Sequence, residues 1–299
     1  MGSLTPLKTG DHIALIAPAR AVSRQEMSAF IQWCKEKNLI LHEGQHLYGQ
    51  HHQFSGTAEE RASDLREAWQ NPDIKAVFCA RGGYGCVQML ELLEDVDWKF
   101  GAKWLIGFSD ITTLHLHLNK LGIPTLHGPM AIHWGIQHAY TAENIKRTED
   151  ALFRLKIEIA CENSDNQLKF SGKLLGGNLS LIYAALGTPE QPDTDNCVLF
   201  LEDLDEYLYH VDRMMVALKR AGLLKNLAGL IVGGMTDMKD NAVPFGKTAE
   251  EIIHHHMTGN NIPLIFNFPA GHTPKNTCLF MGAECTFENG KLTQQPHPD

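Results

Sequence analysis

The sequence predicts an α/β fold in which an open, doubly wound parallel sheet is joined to a second, smaller α/β unit. In the first half, short apolar runs alternate with amphipathic segments of helical periodicity. Strands that alternate with helices pair in parallel through right-handed crossovers. In the second half the alternation continues, but a hairpin signal near the end indicates some antiparallel pairing. A chain of 299 residues is long enough for two such domains.

Local signals bound the elements of the first half. Helices are expected to begin at Ser23 and Thr57, because a glutamate three residues later completes a capping box in each case. Two more helices are expected after the glycine-rich segment 81–85 and after Ser109. The predicted strands are residues 13–17, 39–41, 74–80, 104–108 and 124–126.

The boundary between the two units is predicted within residues 139–172, which contain a helix (141–155) and a polar segment (162–167). We therefore assign residues 1–155 to the first domain, 156–172 to a linker and 173–299 to the second domain. The second domain is predicted to contain helices at 176–186, 207–220 and 248–257, strands at 197–201, 227–232 and 263–268, and a hairpin at 277–294 closed by Asn289-Gly290.

Composition excludes several classes of protein. The net charge is -9 and there is no run of lysine or arginine, so neither a nucleic-acid partner nor an anionic membrane is expected. The seven cysteines are odd in number and contain no C-x-x-C pair, which is typical of a reducing compartment. No apolar run approaches the length of a membrane span, and the run at 13–17 is interpreted as a strand. We expect a cytoplasmic protein.

Neither a cofactor nor a metal is expected. The glycine-rich segment 81–85 lacks dinucleotide-binding spacing, because Gln88 occupies the third glycine position, and no phosphate-loop lysine follows it. The three histidines 254–256 are consecutive and would point in different directions from a helix. His115 and His117 meet the same objection.

Ser109 is the first candidate for chemistry. It follows an apolar strand and precedes a helix, with Gly107 at the same corner. A serine on such a sharp turn presents its hydroxyl outward, beside backbone N–H groups at the helix start. Those are the requirements of a nucleophile with an oxyanion hole. The alternative is a serine that only caps the helix.

The glycine pair at 82–83 also follows a predicted strand. Glycines there would let the backbone approach a substrate and offer an N–H group. The neighbouring Arg81 could hold a carboxylate with two hydrogen bonds, or could form a structural ion pair.

A general base and a carboxylate can be sought in the second half. His272 lies in a tight loop rich in glycine and proline beyond an apolar strand, where it is either a base or a histidine without a role. Glu202 ends another strand and could orient an imidazole. Spacing alone does not choose among Glu202, Asp203 and Asp205.

Five stretches, spread over nearly the whole chain, together resemble one family. They are residues 80–85 (ARGGYG), 107–112 (GFSDIT) with 126–129 (LHGP), 176–180 (GGNLS) with 186–189 (LGTP), 199–203 (LFLED) with 211–214 (VDRM), and 271–272 (GH). The resemblance is to the LD-carboxypeptidases, serine peptidases that include muramoyltetrapeptide carboxypeptidase.

The resemblance implies a catalytic triad of Ser109, Glu202 and His272. It implies a flavodoxin-like first domain that carries the nucleophile, and a second domain that carries the other two residues, with the site in the groove between them. It also implies a cytosolic homodimer that acts in peptidoglycan recycling. The sequence departs from the family in Phe108, where tyrosine is usual, and in His210, where many members have arginine.

The predicted reaction is release of the terminal D-alanine from a murein tetrapeptide through an acyl-enzyme. The backbone N–H groups of Gly83 and Asp110 are predicted to form the oxyanion hole, and Arg81, Asn178 and Arg213 to contact the substrate. Three alternatives stay open: a self-immunity hydrolase of a peptide–nucleotide antibiotic, a general serine esterase or amidase, and a periplasmic-type binding module. Against the esterase alternative, the turn at residues 107–111 lacks the second glycine of G-x-S-x-G.

Overall fold

The computed structural model describes residues 4–101, 103–137, 139–161 and 167–296. The strands are β1 (His12–Ile16), β2 (Ile40–Glu43), β3 (Ile74–Cys79), β4 (Trp104–Gly107), β5 (Thr125–His127), β6 (Ile157–Ala160), β7 (Phe170–Asn178), β8 (Val198–Leu204), β9 (Gly229–Thr236), β10 (Leu264–Ile265), β11 (Leu279–Met281), β12 (Glu284–Glu288) and β13 (Lys291–Gln294). The α-helices are α1 (Ser28–Glu36), α2 (Ala58–Gln70), α3 (Thr112–Lys120), α4 (Thr141–Arg154), α5 (Leu179–Ala184), α6 (Leu208–Arg220) and α7 (Ala249–Met257).

The first sheet confirms the predicted α/β fold. Its described strands lie in the order β11-β5-β4-β3-β1-β2, and all neighbours pair in parallel except β11 and β5. The parallel part, 2-1-3-4-5, is the doubly wound order of the flavodoxin-like fold. Both faces are covered, because successive side chains of β3 enter different apolar clusters: Val77 lies in the cluster that contains Leu65 of α2, and Phe78 packs with Phe30 of α1. This explains why the strands read as continuous apolar runs.

The second sheet is mixed. Within the described residues its order is β10-β9-β8-β7-β12-β13-β6, parallel from β10 to β7 and antiparallel from β7 to β6. Strands β12 and β13 form the predicted hairpin, and Asn289 and Gly290 have the positive φ angles, 52° and 70°, that its turn requires.

Several predicted boundaries are wrong for local reasons. Ser23 and Glu26 do exchange the hydrogen bonds of a capping box, but α1 begins only at Ser28. The glycine-rich segment opens two 3₁₀ turns rather than an α-helix. Gly176 belongs to β7 rather than to a helix start, because its φ is +123° and a Cβ there would lie 2.0 Å from the carbonyl oxygen of Phe200.

The two halves of the chain share the first sheet. Strand β11, from the second half, pairs with β5, and β6 lies within the span predicted as a linker. Residues 162–166 of the predicted polar segment lie outside the described residues. The limits 1–155 and 173–299 therefore stay a prediction. None of the helices in the described ranges has the length and apolar character needed to cross a membrane.

Candidate active site

Ser109 stands on the turn between β4 and α3. Its φ is +64°, a left-handed value that a non-glycine residue adopts at a cost and that is typical of a nucleophile elbow. The preceding Phe108 is extended. Gly107 must be glycine, because a Cβ there would lie 2.7 Å from the Cγ1 atom of Ile111. Glycine at position 107 therefore lets the strand pass closely against Ile111 at the turn that presents Ser109.

His272 and Glu202 come from the second half and meet Ser109. The Ser109 Oγ and His272 Nε2 atoms are 3.1 Å apart, and the His272 Nδ1 atom lies 2.6 Å from the Oε2 atom of Glu202. The backbone N–H of His272 also donates to this Oε2, at 3.1 Å. Because the carboxylate accepts from Nδ1, Nε2 is left with a lone pair facing the serine hydroxyl. The three side chains can thus act as nucleophile, base and orienting acid.

The structure separates the three carboxylates that spacing left open. Glu202 is fully buried and contacts His272. The side chain of Asp203, next along β8, accepts hydrogen bonds from the first turn of α5 instead. Asp205 forms an ion pair with Lys239 at 2.7 Å. Among the described residues, only the first of the three is placed to orient the imidazole.

The surroundings of His272 raise its pKa. Burial acts to lower the pKa, but the hydrogen bond to Glu202 and the negative charges of Glu202 and Asp203 outweigh it, so the pKa lies above its usual value of 6.5. The imidazolium that forms when the ring takes a proton is therefore stabilised. At low pH the same ring is already charged and cannot accept the serine proton.

Backbone donors lie beside the serine. A Cβ at Gly82 would approach the Ser109 Cβ to 3.3 Å, and Gly83 has a φ of +112°. Within the described part of the chain, the backbone N–H groups of Gly83 and Asp110 donate to no protein acceptor. Free donors at this position are what an oxyanion hole requires.

The structure does not bring the three predicted substrate-binding residues into contact with one another, in contrast to the three residues of the predicted triad. Arg81 is partly exposed, with its Nη1 atom 3.7 Å from an oxygen of Glu26. Asn178 is buried; its Nδ2 atom donates to Asp203 at 2.8 Å and its Oδ1 atom caps α5. Arg213 is exposed on α6, over the ring of Tyr209. Their roles in substrate binding stay predictions.

Arg20 is a cation that the sequence reasoning missed. Its side chain lies against the glycine loop, since a Cβ at Gly83 would be 2.7 Å from the Arg20 Nε atom. The residue is exposed, and no ion pair is formed by it among the described residues. The signal that could have found it is its position shortly after β1, at the same carboxyl edge as Ser109.

A cavity of about 320 Å³ opens beside His272. Its volume lies at the lower end of the range of small-molecule sites. Its wall is largely apolar and includes Phe108, Ile136, Ile145, Asp237 and Thr273. No group of three metal-ligating side chains occurs within the described ranges.

A positive-φ serine bonded to an imidazole that is in turn bonded to a buried carboxylate defines the class of the protein: an α/β serine hydrolase. The comparisons with known proteins narrow this class. Residues 13–128 match the model of the LD-carboxypeptidase N-terminal domain, and residues 171–287 match that of the LD-carboxypeptidase C-terminal domain. The chain belongs to the LD-carboxypeptidase family and is a serine-type carboxypeptidase.

Individual relatives span almost the whole chain. A probable murein peptide carboxypeptidase of Bacillus subtilis is 31% identical over 297 residues, covering 96% of this chain and 92% of its own length. The crystal structure of muramoyltetrapeptide carboxypeptidase from Oxalobacter formigenes superposes with a TM-score of 0.82 at 28% identity, covering 96% of this chain and all of that one. The microcin C7 self-immunity protein MccF superposes with a TM-score of 0.85 over 98% of both chains, but at 22% identity this shows the fold alone.

Proposed function

We propose that this protein releases the terminal D-alanine from murein tetrapeptide by an acyl-enzyme mechanism, with Ser109, Glu202 and His272 as its catalytic triad. The observation that carries the proposal is the continuous chain of contacts from the serine hydroxyl through the imidazole to the buried carboxylate. The names of the similar proteins, a murein peptide carboxypeptidase and a muramoyltetrapeptide carboxypeptidase, support the substrate.

Acylation begins when the Ser109 Oγ atom attacks the carbonyl carbon of the bond before the terminal residue. His272 Nε2 takes the serine proton, and Glu202 stabilises the imidazolium. The oxyanion accepts hydrogen bonds from the N–H groups of Gly83 and Asp110, each worth about 3 kcal/mol in the transition state. The C–N bond then breaks as the imidazolium protonates the leaving amine, and free D-alanine departs.

Deacylation runs through the same groups. His272 removes a proton from water, and the resulting hydroxide attacks the acyl carbon. The bond to Ser109 Oγ breaks and the serine regains its proton, which leaves the tripeptide. No group beyond the triad and the two backbone donors is needed for this balance of protons.

An exopeptidase also needs a cation for the free carboxylate of its substrate. Arg81 and Arg20 flank the glycine loop and are the proposed cations, with Asn178 and Arg213 as further polar groups on the substrate side. The protein carries a net charge of -9, so it attracts an anionic peptide only locally, since screening takes over beyond about 8 Å.

One experiment tests the proposal. Murein tetrapeptide and a generic ester are each incubated with the wild type, with Ser109→Ala, and with Ser28→Ala as a control on exposed serine. We expect tripeptide plus D-alanine from the wild type and the control only. Undiminished turnover by Ser109→Ala would show that Ser109 is not the nucleophile. Ester turnover without peptide cleavage would favour an esterase, and binding without turnover would favour a binding module.

The antibiotic-hydrolase alternative is tested by adding a peptidyl sulfamoyl nucleoside as a third substrate; cleavage of this compound in place of tetrapeptide would favour it. We further propose a homodimer located in the cytoplasm, as the family resemblance implies. Light scattering on the purified protein measures the oligomeric state. Fractionation of producing cells measures the location.

A further inference from the structure

Arg61 is a charged side chain in a place that ordinarily excludes charge. It lies on α2 and is only 2% exposed. Its Nη1 atom donates to the carbonyl oxygens of Pro18 and Gly85, at 2.7 and 2.8 Å, and its Nη2 atom donates to Gln88 at 2.7 Å. Among the described residues it has no carboxylate in an ion pair. Burying a guanidinium is costly, so the acceptors around it must be held tightly to compensate.

Asp110 is buried on the opposite side of the same loop. Its side chain is 1% exposed, and its Oδ2 atom accepts a hydrogen bond from the backbone N–H of Cys86 at 2.8 Å. Its Oδ1 atom finds no partner in the described part of the chain. The proposed mechanism uses only the backbone N–H of Asp110 and gives this buried carboxylate no role.

The two charged side chains form hydrogen bonds to opposite ends of one peptide group. The carbonyl of Gly85, which accepts from Arg61, and the N–H of Cys86, which donates to Asp110, belong to the same peptide group. A cation at the oxygen and an anion at the nitrogen both reinforce the dipole of that group. Gly85 is required here, because its φ is +143° and a Cβ would lie 2.5 Å from the Arg61 Nη1 atom.

The Gly85–Cys86 peptide connects the two proposed oxyanion donors. On one side, Gly83 lies two residues before Gly85 in the same loop. On the other side, the Asp110 side chain that binds the peptide belongs to the residue whose own N–H is the second donor. A shift of the loop relative to Ser109 would therefore have to break the bond from Cys86 to Asp110 or the bond from Arg61 to Gly85.

We propose that Arg61 and Asp110 are positioning residues that hold the oxyanion hole in register by clamping the Gly85–Cys86 peptide from both ends. This rests on the proposed function only in taking the N–H groups of Gly83 and Asp110 as the oxyanion donors. Neither side chain touches the substrate. The clamp acts on the transition state, since the donors must be in place when charge develops on the carbonyl oxygen.

The test uses the protein and four variants: Asp110→Ala, Asp110→Asn, Arg61→Lys, and the combination of Arg61→Lys with Asp110→Ala. Two rates are measured for each. The first is hydrolysis of murein tetrapeptide, resolved into kcat and KM. The second is labelling of Ser109 by an alkyl fluorophosphonate, followed by intact mass. In this reaction the serine proton passes to His272, the serine oxygen bonds to phosphorus and fluoride leaves, so the reaction needs the oxyanion hole but no peptide recognition.

We expect Asp110→Ala to lower kcat and the labelling rate together by about 10-fold to 100-fold, somewhat less than the loss of a whole oxyanion donor. KM should change by less than about threefold, because ground-state binding is untouched. Asp110→Asn keeps an acceptor oxygen for Cys86 and should recover most of the loss. The combined variant should lose less than the product of the losses in Asp110→Ala and Arg61→Lys, since both side chains act through one peptide.

Arg66→Lys is the matched control. Arg66 lies on the same helix but pairs with Asp95 at 3.0 Å, away from the glycine loop, and both rates should stay at the wild-type value. Circular dichroism establishes that each variant is folded. If Asp110→Ala does not fold, the labelling rate of Arg61→Lys decides the question: a lowered rate with an unchanged KM supports the clamp, and the wild-type rate overturns it.

Labelling at the wild-type rate in folded Asp110→Ala and Arg61→Lys would overturn the clamp, as would independent effects of these two substitutions in the combined variant. These outcomes are separate from those for the proposed function. If the wild type labels at Ser109 and the variants lose labelling, but tetrapeptide is not cleaved, the clamp stands and the proposed substrate fails. If tetrapeptide is cleaved equally by all variants, the proposed substrate stands and the clamp fails.

Discussion

The hydrogen bond between His272 and Glu202 stabilises the charged form of the imidazole, and in the proposed mechanism this sets the pH range of activity. Because the pKa of His272 is raised by Glu202 and Asp203, the neutral base exists only above that raised value. We expect kcat/KM to fall as the pH is lowered, with a midpoint above 6.5. Replacing Glu202 by glutamine should move the midpoint to lower pH and also lower the plateau.

The measurement is the pH profile of kcat/KM for the wild type and Glu202→Gln. Asp205→Asn provides the control, because Asp205 pairs with Lys239 instead of the imidazole. A midpoint that stays fixed in Glu202→Gln would show that another group titrates.

Gly271 lies beside the hydrogen bond between His272 and Glu202, and a side chain at this position would disturb that bond. Its φ is +95°, and a Cβ there would lie 2.6 Å from the Oε2 atom of Glu202. Gly10 has nearly the same φ, +90°, but nothing lies within 4 Å of its Cβ position. Both alanine variants should lose about 1–2 kcal/mol of stability from backbone strain. Only Gly271→Ala should also lose activity, by about 100-fold, because the carboxylate is displaced.

Thermal unfolding and kcat measured on the two variants side by side separate the effects. Equal activity in both would mean that the Glu202 carboxylate moves aside without consequence.

At the level of elements, what could be predicted depended on how local the signal was. The capping box of Thr57 and Glu60 is read from four consecutive residues, and α2 begins where predicted. Strand β7 was missed because its glycines resemble a helix start; their positive φ angles make sense only once β8 is beside them. Likewise β11 was assigned to the hairpin, because nothing near it in sequence indicates pairing with β5.

Helix α2 presents Arg61 to the glycine loop from one turn beyond its N-cap. The capping box at Thr57 therefore fixes the base of the clamp, and Gly56, just before it, accepts a bond from the Arg61 Nε atom. Helix α7 has the same box at Thr248 without any such contact. We expect Thr57→Ala and Thr248→Ala each to lower stability by about 1 kcal/mol.

Only Thr57→Ala should also slow the labelling of Ser109 by a fluorophosphonate. Denaturant unfolding and labelling kinetics provide the two readouts. Slower labelling in both variants would trace the effect to general loss of stability.

At the level of the whole molecule, the candidate site is assembled from both halves of the chain. Ser109 could be predicted from the turn it occupies. The choice of Glu202 over Asp203 could not be made from spacing, because neighbours on a strand face opposite sides and only the pairing of β8 with β7 and β9 decides which side meets His272. The roles of the Arg61 and Asp110 side chains were missed because they act through a peptide group contributed by a third segment.

The register between the halves rests partly on one contact at their junction. The Oγ1 atom of Thr112, just after the nucleophile turn, accepts a hydrogen bond from the backbone N–H of Asn178 at 3.0 Å. A Cβ at Gly177 would lie only 2.5 Å from the same oxygen, so the two backbones meet closely here. Thr112→Val leaves the Asn178 N–H buried without an acceptor, at a cost of about 1–3 kcal/mol.

Thr113 is the matched control, because it is also buried but the backbone N–H of Asn178 donates to Thr112 and not to it. Since Ser109 and His272 belong to different halves, Thr112→Val should lower kcat as well as stability, whereas Thr113→Val should leave kcat unchanged. Denaturant unfolding and kcat for tetrapeptide are measured on both. A Thr112→Val protein that is destabilised but turns over at the wild-type rate would mean that β11, rather than this contact, holds the serine opposite its base.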